Sequence, residues 1–428
     1  MATTRRTPPG IRNVSLKGGG FASVRSNGQI RSVDHNGMHI DHGINGGRTV
    51  VSEHNGVRVV NTGRNSGYVQ RSYMNVGGHS YYSRTYYFHG SYHTAVYRGY
   101  YWHGHAYYGF HPGFWFHPGF YAWGYHPWGA PVYWGIGAWG WEGAPWWGFY
   151  RGWFTPYPYY ASPAYWLTDY LIAAELQSAY EAQQQANVDA AVAAASYETS
   201  PSAASSATAA LSPEVKEAIT DEVKAQLAKQ QGQAGQNGES DAQATASPAN
   251  APTTAPANNN EEVPPALDPA RRTFVVDSNL TVTANGQECG LTAGDVLTRL
   301  TDTPDADDTV NASVSASKKS DCAAGLTVSV KVDDLQEMQN HFDEQLDNGL
   351  SELAKKQGTD GMPKAPDTGI VESDIPTPKP DTTAEKTLQE QQQAADQTET
   401  QVKQEAEAPA PAVPPDRQQS WVSDGGLH

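Results

Sequence analysis

Between residues 27 and 60, short runs of alternating polar and apolar positions are cut at regular intervals by Asn-Gly pairs. Met38 and Ile40 share one face of an extended segment and His39 and Asp41 the other; Val57 and Val59 oppose Arg58. The pairs Asn27-Gly28, Asn36-Gly37, Asn45-Gly46 and Asn55-Gly56 recur at intervals of 9, 9 and 10 residues. Asn-Gly suits two-residue hairpin turns because both central positions need positive φ. Such spacing leaves strands of about seven residues and predicts an antiparallel meander. Looser punctuation at Gly77-Gly78, His89-Gly90 and His103-Gly104 extends the pattern, with "SYYSRTYYF" and "SYHTAVYRGYYW" between. Residues 18–108 therefore read as one repetitive sheet after a flexible N-terminus, 1–17. The expected sheet is a single layer whose aromatic cross-strand pairs stabilise uncovered faces.

The alternation stops at Gly109. Through 109–161, Gly or Pro interrupts every few residues, which allows neither a long helix nor a regular strand. Helical periodicity follows in 162–230. Ser162-Pro163 reads as an N-cap with proline in the first turn, and Val215, Ile219, Val223 and Leu227 give a second helix one narrow apolar stripe. A Gln/Ala/Asn/Pro-rich linker, 231–270, reads as disordered. Residues 271–356 return to strand patterning in five runs, with Asn285-Gly286 as a turn. Then Leu335, Met338, Phe342, Leu346, Leu350 and Leu353 space as one face of a helix. Asp334 through Glu337 reads as a capping box with Asp in the Ser/Thr position. The Pro-, Gln- and Glu-rich tail, 357–428, offers no core candidates and reads as disordered. The fold class expected is mainly β, with helices and extensive disorder.

Charge sharpens this division. Residues 1–170 hold 13 Lys and Arg against 5 Asp and Glu; the remainder holds 16 against 41, which gives the net −17. All 23 Tyr precede residue 198, and ten of 12 Trp lie between Trp102 and Trp153. A cationic aromatic front is thus joined to an acidic back that serves solubility.

Only Cys289 and Cys322 are present, both in the second β-region. With no CxxC and no nearby Cys/His pairing, a disulfide is the expected state against two buried thiols. It would staple a small unit and place it in an oxidising compartment. "MATTRRTPPG" lacks the apolar run of a secretory signal. The cysteine chemistry outweighs that, and the expected location is extracytoplasmic: periplasmic, envelope or secreted.

The succession of Asn-Gly-punctuated strands, "GYVQRSY", "FTPYP…SPAYWLTDYL", "LSPEVKEAITDEVKAQL" and "ECGLTAGDVLTRL" resembles an uncharacterised family of bacterial cell-envelope proteins with a Tyr/Trp/Gly/His-rich β-region, across about residues 8–365. "CGLTAGDVLTRL" is similar to bacterial SH3-like barrels. That resemblance implies a small disulfide-bonded barrel and, by analogy of fold, a cell-wall ligand.

The repeat Phe-His-Pro-Gly-Phe at Phe110–Phe114 and Phe116–Phe120 supplies candidate chemistry. Phe110, Phe114, Trp115, Phe116, Phe120, Trp123 and Trp128 are the candidate surface aromatics, suited to a cell-wall glycan or a membrane surface; the competing reading is that they pack as a layer over the meander. His103, His105, His111, His117 and His126 form the alternative, a metal site, but no Cys and few acids accompany them. Trp128–Tyr150 has one charge in 23 residues, yet its Pro and Trp content argues against a plain spanning helix. Arg interleaved with Tyr carries no fold-specific nucleic-acid signature. No GxSxG, HExxH, phosphate loop or dinucleotide fingerprint occurs. The expectation is a non-enzymatic structural or binding protein without cofactor; a His-rich metal binder and a hydrolase without nominated residues are the alternatives. Oligomeric state is not encoded in these patterns.

Overall fold

A computed structural model describes residues 10–44, 46–63, 66–88, 90–194, 210–237, 247–248, 261–319 and 321–407. The Asn45 and His89 turn positions lie outside these residues, as do most of the linker and the end of the tail.

Ten strands follow one another as an antiparallel meander in chain order: β1 (Ile11–Ser15), β2 (Phe21–Arg25), β3 (Ile30–His35), β4 (Met38–His42), β5 (Arg48–His54), β6 (Val57–Gly63), β7 (Ser66–Val76), β8 (His79–Phe88), β9 (Ser91–Trp102) and β10 (His105–His111). A short β12 (Ser247–Pro248) adds beside β7. Turns occur at Asn27-Gly28, Asn36-Gly37 and Asn55-Gly56, where these pairs place them. Asn36 and Asn55 sit at φ of 51° and 52°, each followed by a positive-φ glycine. The sheet begins inside the stretch expected to be flexible, since β1 occupies Ile11–Ser15.

The sheet is not an uncovered layer. Ala22, Val33, Ile40, Val50, Val59 and Val69 pair across neighbouring strands or share their parity, and so form one apolar face. The helix α7 (Ala384–Glu407) lies along it, with Ala384, Leu388, Ala395 and Val402 buried there. The Gln391 amide donates to Val50 O and Val59 O at 3.3 and 2.8 Å. The reading of 357–428 as wholly disordered is therefore corrected. The tail has few large apolar residues because it docks through small ones and side-chain hydrogen bonds.

The opposite face is polar and aromatic, and α6 (Val332–Lys356) meets it. Arg84 is fully buried there, its guanidinium 4.0 and 3.8 Å from the ring centres of Tyr68 and Tyr97. It donates to Gln70 Oε1 at 3.0 Å and to both Glu337 oxygens at 2.7 and 3.0 Å. Asn340 donates to Tyr108 O and accepts from Phe110 N, so its side-chain amide caps the outer edge of β10. All six apolar positions of the predicted stripe on α6 are buried. The capping box is corrected: Lys331 is the N-cap, and Asp334 stands in the first turn, where the helix dipole favours acids.

The second β-region forms a six-stranded antiparallel sheet, in the order β13 (Thr273–Val275), β16 (Val296–Arg299), β17 (Thr309–Ala316), β18 (Thr327–Lys331), β14 (Leu280–Ala284) and β15 (Gln287–Leu291). It does not close, so the described residues do not form the small SH3-like barrel expected here. The turn expected at Asn285-Gly286 is present and joins β14 to β15 as a hairpin, with both residues at positive φ. Cys289 and Cys322 are joined, tying β15 to the loop before β18. This sheet is not a detached module: Arg25 and Arg31 pair with Glu288, and the Tyr107 hydroxyl donates to Asp308 at 2.6 Å.

The aromatic segment does not lie over the meander. It folds into β11 (Phe114–Phe116), α1 (Pro118–Tyr125), α2 (Ile136–Trp139) and α3 (Pro145–Tyr150), around α4 (Pro163–Ala194) and α5 (Pro213–Asn237). β11 pairs with β19 (Ile370–Glu372) from the tail. Trp115, Trp134, Trp141, Trp146, Trp153 and Trp166 fill a core shared with Leu346, Leu350 and Leu353 of α6. Trp139 stacks between Trp141 and Trp166, centroids 4.5 and 4.6 Å away.

Candidate functional site

Four of the seven expected surface aromatics are interior. Trp115, Phe116, Phe120 and Trp128 are 3%, 5%, 0% and 9% exposed. Phe110, Phe114 and Trp123 are half-buried, Phe110 against Tyr97 and Trp123 stacked on Phe120. Each large apolar side chain gains roughly 1.5–3 kcal/mol on burial, and glycines such as Gly124, directly against Leu227, let the rings close on the helices. The Phe-His-Pro stretch is corrected from an exposed surface to a packing core.

The five histidines are dispersed by local geometry. His103 takes positive φ in the β9–β10 turn and stacks on Trp102; His105 is exposed beside it. His111 bonds Ser373 Oγ at 3.0 Å, and burial pushes its imidazole down to about 4. His117 caps α1 and His126 ends it. Among the described residues no group of three or more His, Cys, Asp or Glu could hold a metal ion. Nor is any described helix long and apolar enough to cross a membrane. Trp128–Tyr150, with its single charge, is broken into α2, α3 and loops.

What the aromatic segment exposes is smaller and better defined. Val132 and Tyr160 form an antiparallel bridge, N to O in both directions at 2.9 and 2.8 Å. Side chains alternate along extended backbone, so burying Val132 and Tyr160 turns their neighbours outward. Tyr133 and Tyr159 are accordingly 71% and 62% exposed, with ring centroids 6.2 Å apart in an edge-to-face arrangement. Pro131, Pro158 and Ile136 are exposed beside them. Prolines at 156 and 158 hold the preceding residues extended.

Beneath this pair lies a buried polar anchor. Asp169 of α4 is fully buried and accepts from Tyr157 N and from the Tyr160 hydroxyl, both at 2.7 Å and both on Oδ2. Trp139 Nε1 donates to the same hydroxyl at 3.0 Å. Lys216 of α5 stands with Nζ 2.6 Å from Asp169 Oδ1 and donates to Thr155 O at 2.7 Å. Its ammonium also lies 3.7 Å from the Tyr157 ring centre. Desolvation pushes the Asp169 carboxyl up and the Lys216 amine down, each against the opposing charge of its partner. Loop 155–160, and with it Tyr159, is thus fixed from below.

The sequence reading missed Asp169, Lys216, Tyr133 and Tyr159. A signal existed for Asp169: it is the sole charge in "AYWLTDYLIAA", and an acid inside an apolar helical run needs a partner. Asp333 and Asp334, the adjacent acids, sit in the first turn of α6; burial pushes Asp334 up to about 7. No protein-family model, curated protein or solved structure matches this chain. The resemblance to the envelope family and to SH3-like barrels rests on the quoted motifs alone.

Proposed function

We propose that this is a non-enzymatic, extracytoplasmic binding protein that presents Tyr133 and Tyr159 to cell-wall glycan. The observation that carries the reading is the exposure of two tyrosines in contact on a rigid support. Aromatic faces stack on sugar C–H groups, while each hydroxyl keeps a hydrogen bond available. A pre-positioned pair loses little side-chain freedom on binding. Only Glu142 and Arg151 carry charge between Pro131 and Tyr160, so the pair has no basic cluster around it in sequence of the kind that holds anionic lipid. The disulfide supports an oxidising compartment.

The test is co-sedimentation of the full chain with purified cell-wall sacculi and, separately, with vesicles containing anionic lipid. Replacing Tyr133 and Tyr159 together with Ala should reduce sacculus binding at least tenfold without altering the circular dichroism spectrum. Unchanged sacculus binding would refute the glycan reading. Binding to vesicles alone would transfer the same tyrosines to a membrane role.

A further inference from the structure

Among the described residues two lysine–aspartate pairs are buried, and they differ in geometry. Lys318 Nζ lies 3.1 Å from Asp295 Oδ1 in an ordinary hydrogen-bonded ion pair. Lys216 Nζ is closer to Asp169 Oδ1, at 2.6 Å, yet that oxygen receives no hydrogen bond of acceptable angle. The nitrogen is pressed against the carboxyl group without the alignment of a donor. The other oxygen, Oδ2, is held by two donors, Tyr157 N–H and Tyr160 O–H. The pair is enclosed, with side chains 7% and 0% exposed, and the Phe154 ring centre lies 5.1 Å from Nζ.

We propose that Lys216 and Asp169 are a self-modification site, condensing to an amide between Nζ and Cγ that ties α5 covalently to α4. The amine must be neutral to attack and the carboxyl protonated to lose water. Burial moves both groups toward those forms. The Nζ lone pair forms the new bond to Cγ, and the carbonyl electrons move onto Oδ2. Tyr157 N–H and Tyr160 O–H lie at the distances expected of donors to such an oxyanion. Oδ1, already carrying the carboxyl proton, accepts a second proton from the attacking nitrogen and departs as water, the Cγ–Oδ1 bond breaking as the electron pair on Oδ2 re-forms the carbonyl of the amide. Atoms and charge balance: one amine and one acid give one amide and one water, with no oxidant or external reagent. Holding both groups in contact inside the fold supplies the proximity that makes an otherwise slow condensation feasible. This inference is independent of the glycan reading.

The decisive measurement is the intact mass of the folded, purified full chain after denaturation, reduction and alkylation. The expected mass is one water less than that of the sequence with both cysteines alkylated. Tryptic mapping should yield a branched peptide containing Asp169 and Lys216, with no cleavage after Lys216. The Lys216→Arg variant keeps the charge but cannot form this bond, and should show the full mass. A wild-type mass equal to the unmodified sequence would overturn the proposal, as would loss of water mapped to any other pair. Should Lys216→Arg fail to fold, the wild-type mass and peptide map still decide.

Discussion

Removing the carboxylate of Glu337 should destabilise the protein through the charge it leaves behind. Arg84 is fully buried between two tyrosine rings, and Glu337 supplies two of its hydrogen bonds. Breaking a buried ion pair from one side costs roughly 3–5 kcal/mol, because the remaining charge is uncompensated. Glu337 keeps 33% of its side chain accessible, so water can enter; Gln70 and the Tyr86 hydroxyl also remain as partners. The lower end, about 3 kcal/mol for Glu337→Leu, is therefore expected. Arg84→Met should cost a similar amount, and the double variant should lose clearly less than the sum of the two. A double-mutant cycle by urea denaturation, followed through the tryptophan core that α6 shares, would give a coupling of about 2 kcal/mol. Additive effects, or a single-variant loss below about 1 kcal/mol, would refute this account. The pH dependence has a definite sign. Burial raises the Glu337 carboxyl, but Arg84 overcomes this and holds it below its ordinary 4.5. The stabilisation is complete above that value and disappears as pH falls through the depressed one.

Other outcomes follow from the same structure. Replacing Cys289 and Cys322 with Ser should cost about 4 kcal/mol by the loop-entropy relation for their separation of 33 residues; alkylation without reductant should label neither cysteine in protein from its native compartment, and two labelled cysteines would refute the bond. Leu388→Ala should cost about 2–4 kcal/mol and open α7 to limited proteolysis; tail cleavage unchanged from wild type would refute its docking. His111, pushed down to about 4, is neutral in the folded protein, while the unfolded chain takes up a proton near 6.5. Stability should therefore decline as pH falls from 6.5 toward 4, and His111→Gln should flatten that decline in acid-titration melts.

The meander was legible because Asn-Gly turns state their backbone requirement locally, and α6 because its six apolar residues recur at helical spacing. The aromatic core was not. Ring-rich, glycine-rich sequence looks the same whether the rings face water or each other, and only long-range partners such as Leu227 and Leu346 decide. α7 was invisible for another reason. Leu388 is the one large aliphatic residue in its first four turns, and its contact with the sheet runs through alanines and Gln391. The exposed tyrosine pair is legible only after the Val132–Tyr160 bridge sets which side chains point inward.

The docking of α7 on the first sheet has a consequence for biogenesis. The apolar face containing Val59 and Val69 is made early, while its cover, Leu388, comes 319 residues after Val69. At typical synthesis rates of about 5–20 residues per second, the nascent meander waits roughly 15–60 s with that face unprotected. The N-terminal half thus carries an apolar face in need of a temporary cover throughout that interval, and premature termination anywhere before residue 384 would release a chain with an adhesive sheet.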